Sequence, residues 1–351
     1  MKALVLAGGL GSRLRPFSHT MPKQLIPIAN KPVIEHVMDN LRAIGVREVG
    51  MIVGSRREEL ESKLGDGSAL GVDITYIQQD EPLGLAHCVL IARDFLADDD
   101  FVMYLGDNML IDGIEEIADE FRTTRPTAQV VVHKVADPRA FGVAEVDENG
   151  RVIQLVEKPR EPRSDLAVIG VYFFTPAVHE AVERITPSAR GELEITDALQ
   201  WLVTEGLDVR ARIYSGFWKD TGRVEEVLDC NRELLDRLTA SVRGEVDEQS
   251  QIIGAVVVEE GARVVGSRIV GPAIIGAGSL VEDSTVGPHT TIGEDCLLRG
   301  AGIGYSILLR GASVDNVRGV HGSVIGRAAS VASAERNRLV VGDHSSIEVP
   351  A

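Results

Sequence analysis

The residues best suited to chemistry lie near the start of the chain. Leu6-Ala7-Gly8-Gly9-Leu10-Gly11-Ser12-Arg13-Leu14-Arg15-Pro16 is followed closely by Pro22-Lys23-Gln24-Leu25-Ile26-Pro27. Glycines after an apolar run let backbone N–H groups approach phosphate oxygens, and a cationic side chain adds charge. Arg13, with Lys23 further on, offers a loop and two cations for a triphosphate. The spacing is not the dinucleotide fingerprint, because Gly9-x-Gly11 is followed by Leu14 where G-x-G-x-x-G requires glycine. Nor is it a Walker A loop, which requires Gly-Lys-Ser/Thr. Gly106-Asp107-Asn108 and Asp220-Thr221-Gly222 set single aspartates beside glycines. Taken alone, each reads as a turn aspartate. His19, His36, His87 and His133 show no metal-ligand spacing, and a solvated or core histidine is the default for each.

The elements that must position these residues alternate along the first 240 residues. Ala3–Ala7 is a short apolar run ended by glycines, a buried strand. Val33–Ile44 carries apolar residues at helical spacing (Val33, Ile34, Val37, Leu41, Ile44). Glu48–Val53 reads as a strand, Arg56–Leu64 as a helix, Asp73–Ile77 as a strand and Leu85–Phe95 as a helix. Phe101–Leu105 is a strand that ends at Gly106-Asp107-Asn108, and Val224–Leu238 is the last long helix. Such alternation implies an α/β fold with a Rossmann-like, mixed but mainly parallel sheet covered on both faces. Ligands then sit at the carboxyl ends of the strands, where Gly8-Gly9 and Gly106-Asp107 both fall.

Past about residue 245 the composition changes. Ile253-Gly254, Val265-Gly266, Val270-Gly271, Ile275-Gly276, Val286-Gly287, Ile292-Gly293, Ile303-Gly304, Ile325-Gly326 and Val341-Gly342 recur at about five to six residues or near-multiples. This hexapeptide repeat predicts a left-handed parallel β-helix, with each aliphatic side chain in a narrow core and glycine in the turn. The expected domains are 1–240 and 245–345. A hundred residues of irregular loop would be the alternative, and compact proteins rarely hold one.

Composition bounds the function. The 351-residue chain carries a formal charge of −17, so nucleic acid and anionic membrane are poor partners. No apolar stretch reaches transmembrane length, and the first apolar run is too short for a secretory signal. Cys88, Cys230 and Cys296 are widely separated, which predicts reduced, mostly buried thiols in a cytoplasmic protein.

GGxGSRLxP…PKQLxPIxNKP resembles the signature of the nucleotidyltransferases that join a sugar 1-phosphate to a nucleoside triphosphate. Later segments agree in order. They are Gln79 with Pro82-Leu83-Gly84-Leu85-Ala86, Leu105-Gly106-Asp107-Asn108, Phe141-Gly142-Val143, Glu157-Lys158-Pro159, and Ile169-Gly170-Val171-Tyr172. Arg190-Gly191-Glu192-Leu193-Glu194-Ile195-Thr196-Asp197 and Trp218-Lys219-Asp220-Thr221-Gly222 complete the series. The resemblance spans the whole chain and is to the long glucose-1-phosphate thymidylyltransferases of antibiotic-sugar pathways, which carry a C-terminal β-helix.

That resemblance implies in-line attack of a sugar phosphate oxygen on the α-phosphorus, with pyrophosphate leaving. It implies catalytic roles for Arg13, Lys23, Asp107 and Lys158. Arg13 holds the triphosphate, Lys23 neutralises the α-phosphate region, and Asp107 and Asp220 hold Mg²⁺. Leu6, Gly8, Gly9, Gly11, Ser12, Arg13, Gln79, Pro82 and Gly84 form the nucleotide site. Gly142, Glu157, Lys158, Gly170 and Tyr172 form the sugar-phosphate site. The Gln79 amide can both donate to and accept from a pyrimidine edge. Thymine and uracil differ there by one methyl, worth about 1–3 kcal/mol, so dTTP and UTP use should overlap. Related aminocyclitol enzymes can prefer a purine triphosphate, which Gln79 does not exclude. The expected partners are dTTP or another nucleoside triphosphate and a sugar 1-phosphate.

For the β-helix the reading is assembly into a homo-oligomer, a trimer or tetramer. Acyl transfer is the alternative, with His289, His321 and His344 as available bases. No lysine follows Lys219 to line a coenzyme A groove. A regulatory subunit without activity is the third reading, and the intact Arg13, Lys23, Asp107 and Asp220 argue against it. Arg336–Leu339 and Asp343–Ile347 are expected to cap the last coil or pack back on the first domain.

Overall fold

The structure is a computed structural model that describes residues 1–333. Val341-Gly342, His344 and the expected capping segments lie outside the described residues. The chain divides into two compact units that interleave in sequence. One holds Met1–Leu10 and Ile34–Asp220; the other holds Gly11–Val33 and the chain from Thr221 onward.

In the first unit the strands and helices are β1 (Lys2–Leu6), α1 (Val33–Ala43), β2 (Glu48–Val53), α2 (Arg57–Leu64), β3 (Asp73–Gln78), α3 (Leu85–Ile91), α4 (Arg93–Leu96), β4 (Phe101–Leu105), β5 (Asn108–Leu110), α5 (Glu115–Thr124), β6 (Ala128–Lys134), β7 (Gly142–Val146), β8 (Val152–Glu157), β9 (Leu166–Phe174), α6 (Val178–Arg184), α7 (Ile195–Thr204), β10 (Val209–Ile213) and β11 (Trp218–Asp220). The main sheet runs β8-β7-β9-β4-β1-β2-β3, and β6 bridges β9 to β10. β4, β1, β2 and β3 are mutually parallel, as the βα alternation requires, whereas β9 is antiparallel to β4. The single helix expected over Leu85–Phe95 is two, broken at Ala92.

The nine residues of β9 are all buried, the mark of a strand covered on both faces. Period-two alternation sorts them. Tyr172 and Phe174 point into the core shared with α3, α6 and α7. Phe173 points to the other face and packs on Phe121 of α5, with ring centroids 5.4 Å apart.

In the second unit, three six- or five-stranded parallel sheets of very short strands form the left-handed β-helix that the repeat predicts. Val256 pairs with Ala273 and Ala273 with Thr290, so one coil takes seventeen residues at these positions. Val264, Val281, Leu298 and Val314 stack in its core, with Ile269, Val286 and Ile303 from the next sheet. The aliphatic–glycine rule needs one correction. At Ile253-Gly254, Val265-Gly266 and Val270-Gly271 the inward residue stands one place earlier, at Ile252, Val264 and Ile269. Strand alternation turns the residue beside the glycine outward there.

The last long helix, α8 (Val224–Asp236), and the segment Gly11–Val33 belong to this unit. Asn231 of α8 is fully buried and joins them to the coils. Its Oδ1 accepts from the Ala29 backbone N–H at 3.0 Å and from the Thr291 hydroxyl at 2.8 Å. Its Nδ2 donates to the His289 carbonyl at 3.4 Å. Asn30 donates to the Ile292 carbonyl at 3.0 Å, and Arg327 to the Thr20 carbonyl at 2.7 Å.

No helix among the described residues is long and apolar enough to cross a membrane. All three cysteines are free and buried. Burial pushes the Cys88 thiol up to about 12.

Two predictions follow from this packing. Asn231→Leu strands a buried N–H, a hydroxyl and a carbonyl, and should lower unfolding free energy by about 2–4 kcal/mol, read by denaturant titration. Cys88 should resist iodoacetamide at pH 8 in the native protein, because only about one thiol in ten thousand is ionised, and should label on unfolding.

Candidate active site

In the first unit the site begins where β1 and β4 end side by side. Leu6 is in register with Leu105, and the Gly106 N–H donates to the Leu6 carbonyl at 2.9 Å. The strand-end expectation for Gly8 and Gly106 therefore holds. Gly8 lies against Gly54, and a Cβ built on it falls 3.6 Å from Gln79 Oε1. Gln79 stands just past β3, with its N–H on the Val53 carbonyl at 2.8 Å. Its Nε2 is 3.1 Å from His87 Nδ1 and 3.4 Å from the Gly84 carbonyl.

Gly84 precedes α3 at φ +106°. A side chain there would run into the Leu193 backbone, whose N–H and carbonyl are bonded to Leu83 and Ala86. Glycine is needed both for the angle and for the approach. Pro82 lies exposed in the same turn.

Asp107 sits in the turn between β4 and β5. β5 pairs antiparallel with β11, and the pairing sets Asp220 opposite Asn108, beside Asp107. The ribbon is held from several sides. Trp218 Nε1 donates to Asn108 Oδ1 at 2.7 Å, Asn40 of α1 donates to the Leu110 carbonyl at 2.9 Å, and the Phe217 N–H donates to Asp112 at 2.8 Å. The two expected metal aspartates, 113 positions apart in sequence, thus become neighbours on a rigid two-stranded piece. Among the described residues no group of three or more His, Cys, Asp or Glu side chains could hold a metal. A pair of carboxylates completed by phosphate oxygens is the donor set that Mg²⁺ takes, so these residues fit it.

The expected sugar-phosphate residues also gather. Glu157 ends β8 and pairs with Gly142 at the start of β7. Its Oε2 accepts from the Thr196 hydroxyl at 3.1 Å, and its Oε1 lies 3.2 Å from Lys158 Nζ and 3.5 Å from Arg190. A Cβ on Gly142 would fall 2.6 Å from the Thr196 methyl. Gly170 occupies the irregularity in the β9–β6 pairing at φ +77°, against Leu105 and Asn108. This is the conformation a β-bulge asks of glycine. Tyr172 is buried, stacked on Phe174 with centroids 5.9 Å apart, and burial and the Glu157 charge push its phenol up.

Sequence alone assigns Arg190, Glu194 and Thr196 no role, yet Arg190 and Thr196 both reach Glu157, and Arg190 also pairs with Glu194. Arg190 binds Glu194 at 3.1 Å and Glu192 at 2.9 Å. Burial raises the Glu194 carboxyl, and the Glu157 charge adds to the rise; Asp197 is raised by the same two causes. Such a crowd of acceptors is suited to hydroxyl donors, the surface a polyol presents.

In the second unit, Gly11 stands at φ +63° with Lys23 and Ser18 against it, and Ser12 and Arg13 open a short 3₁₀ turn. Arg13 lies against Gly222, whose N–H donates to Glu226 at 3.1 Å. Gln24, next to Lys23, is 1% exposed, and its Oε1 is buried with no hydrogen-bond partner among the described residues. The signal in sequence was its place in the Pro22–Leu25 run. The Leu10–Gly11 and Asp220–Thr221 peptides join the two sets of residues along the chain.

Residues 2–237 match the nucleotidyl transferase family. The chain belongs to that family. Over 99% of its length it is 53% identical to a glucose-1-phosphate thymidylyltransferase of Streptomyces griseus, and it covers 99% of that protein. It is 52% identical, with the same coverage of both chains, to a glucose-1-phosphate thymidylyltransferase of Streptomyces antibioticus. A solved Bacillus anthracis structure, described provisionally as a glucose-1-phosphate thymidylyltransferase in complex with a sucrose, is 37% identical. It superposes with a TM-score of 0.62 and matches 66% of this chain and 94% of that one. As a nucleotidyltransferase the chain is an enzyme.

Gly84 offers a test of the site's packing. Gly84→Ala combines positive φ with collision against the Leu193 backbone and should lose about 2–3 kcal/mol of stability. Gly45→Ala, at φ +79° with nothing within 4 Å, should lose only about 1 kcal/mol. Thermal melts of the two variants make the comparison, and equal losses would remove the Leu193 contact from the account.

Proposed function

We propose that this nucleotidyltransferase transfers a thymidylyl group from dTTP to glucose 1-phosphate, giving dTDP-glucose and pyrophosphate. The observation that carries the reading is the likeness, over the full length of both chains, to two glucose-1-phosphate thymidylyltransferases. A sugar phosphate oxygen attacks the α-phosphorus, the bond to the β-phosphate oxygen breaks, and pyrophosphate leaves. Two polyanions must meet, so position and positive charge matter more than acid–base groups.

In this reading the glycines Gly8, Gly9 and Gly11, with Leu6 and Ser12, bring backbone to the triphosphate. Arg13 holds the triphosphate and steadies the leaving pyrophosphate, and Lys23 neutralises the α-phosphate. Lys158 binds the phosphate of the sugar. Glu157 accepts from sugar hydroxyls, between Gly142 and Gly170, which leave room for the ring, and above the buried Tyr172. Gln79, Pro82 and Gly84 frame the base. Asp107 and Asp220 hold Mg²⁺, which when bound neutralises and orients phosphate oxygens.

The β-helix serves assembly into a trimer or tetramer, read by light scattering. Against acyl transfer, no lysine follows Lys219 to line a coenzyme A groove.

Pyrophosphate release with glucose 1-phosphate, Mg²⁺ and dTTP tests the reading. Asp107→Asn and Asp220→Asn should each lower kcat about a hundredfold or more, and chelation should abolish turnover until Mg²⁺ is restored. UTP should work within about 10–200-fold of dTTP, the worth of one methyl. Absence of pyrophosphate with every pyrimidine triphosphate would reject the proposal.

A further inference from the structure

The Gln79 amide is held at one end. The Gly84 carbonyl, 3.4 Å from Nε2, can only accept, so the NH₂ end of the amide must face it. The same nitrogen faces His87 Nδ1 at 3.1 Å. Both Nε2 protons are then committed to α3 and its entry turn. His87 Nδ1 must accept, which requires the neutral imidazole with its proton on Nε2. With the NH₂ fixed, Oε1 is the end that stands beside Gly8, 3.6 Å from where a Cβ on that residue would lie. Toward Gly8 the amide offers an acceptor and no donor.

We infer that His87 is a positioning residue for base selection: as an obligatory acceptor it turns the Gln79 carbonyl oxygen toward the base. The inference rests on the proposal that Gln79 borders the base site. An acceptor there takes a base whose Watson–Crick edge has a central N–H, which thymine, uracil and guanine have. It refuses cytosine and adenine, whose ring nitrogen at that position is itself an acceptor. A residue at position 87 that can only donate forces Oε1 round to α3 and presents NH₂ instead. Discrimination then falls or reverses, although position 87 need not touch the base.

The test compares kcat/KM for dTTP and dCTP with glucose 1-phosphate in the intact chain. Three variants are used: His87→Lys, a donor only; His87→Leu, neither donor nor acceptor; and His87→Asn, whose Oδ1 stands near the imidazole Nδ1 position. His87→Lys should lower the dTTP:dCTP ratio about tenfold or more, mainly through KM for dTTP. His87→Leu should lower it less, and His87→Asn should keep it within about threefold of the parent. If His87→Lys does not fold, the Leu and Asn pair carries the comparison. An unchanged ratio in folded His87→Lys or His87→Leu, or equal loss in Asn and Leu, overturns the role of His87 while parent turnover of dTTP leaves the proposed function standing. If the parent refuses dTTP and uses purines, the thymidylyl assignment fails instead, and dGTP:dATP in the same variants tests His87.

Discussion

A primary amide buried away from water brings two N–H donors and a carbonyl oxygen that the protein itself must satisfy. Asn231 is such a group, and its three partners come from two distant pieces of chain: Ala29 of the Gly11–Val33 segment, and His289 and Thr291 of one coil. No one of them could move without orphaning a buried group. That requirement fixes the segment bearing Arg13, Lys23 and Gln24 to the β-helix. The segment has little regular structure of its own, only short 3₁₀ turns and a two-residue hairpin. The coils thus supply the rigidity that a helix or sheet would otherwise give to Arg13 and Lys23.

The first unit reaches precision by another route. Its acidic and acceptor groups stand at strand ends or in turns clamped by neighbours, as Asp107 and Asp220 are on the ribbon and Glu157 is between Thr196 and two cations. Burial raises the Glu194 and Asp197 carboxyls, and the neighbouring Glu157 charge adds to the rise. Arg190 offsets part of the negative charge with ion pairs to Glu157, Glu192 and Glu194.

The sequence reading reached some of this arrangement and missed the rest for identifiable reasons. Glu48–Val53 and Phe101–Leu105 were legible to the residue because short β-rich runs end at turn signals. The break at Ala92 was not, since no glycine or proline marks it. The β-helix was legible from its glycines, but not which neighbouring aliphatic faces inward. Thr291 shows why the outer surface escaped notice: it points away from the coil core yet is buried, because α8 covers it. The attachment of Gly11–Val33 to the coils was invisible, resting on bonds spanning 202 and 262 positions. Gln79 and the Arg190–Asp197 run stand out in sequence as single motifs; only the fold pairs them with His87 and Glu157.

The interleaving of the two units has a consequence for recombination. A crossover near residue 240, where composition changes, would exchange most of the coils yet leave behind Asn231 and the segment it holds. A chimaera that keeps the native contacts must carry two inserts together, Gly11–Val33 and the chain from Thr221 onward. A gene library shuffled at the visible composition boundary would therefore be poor in folded members.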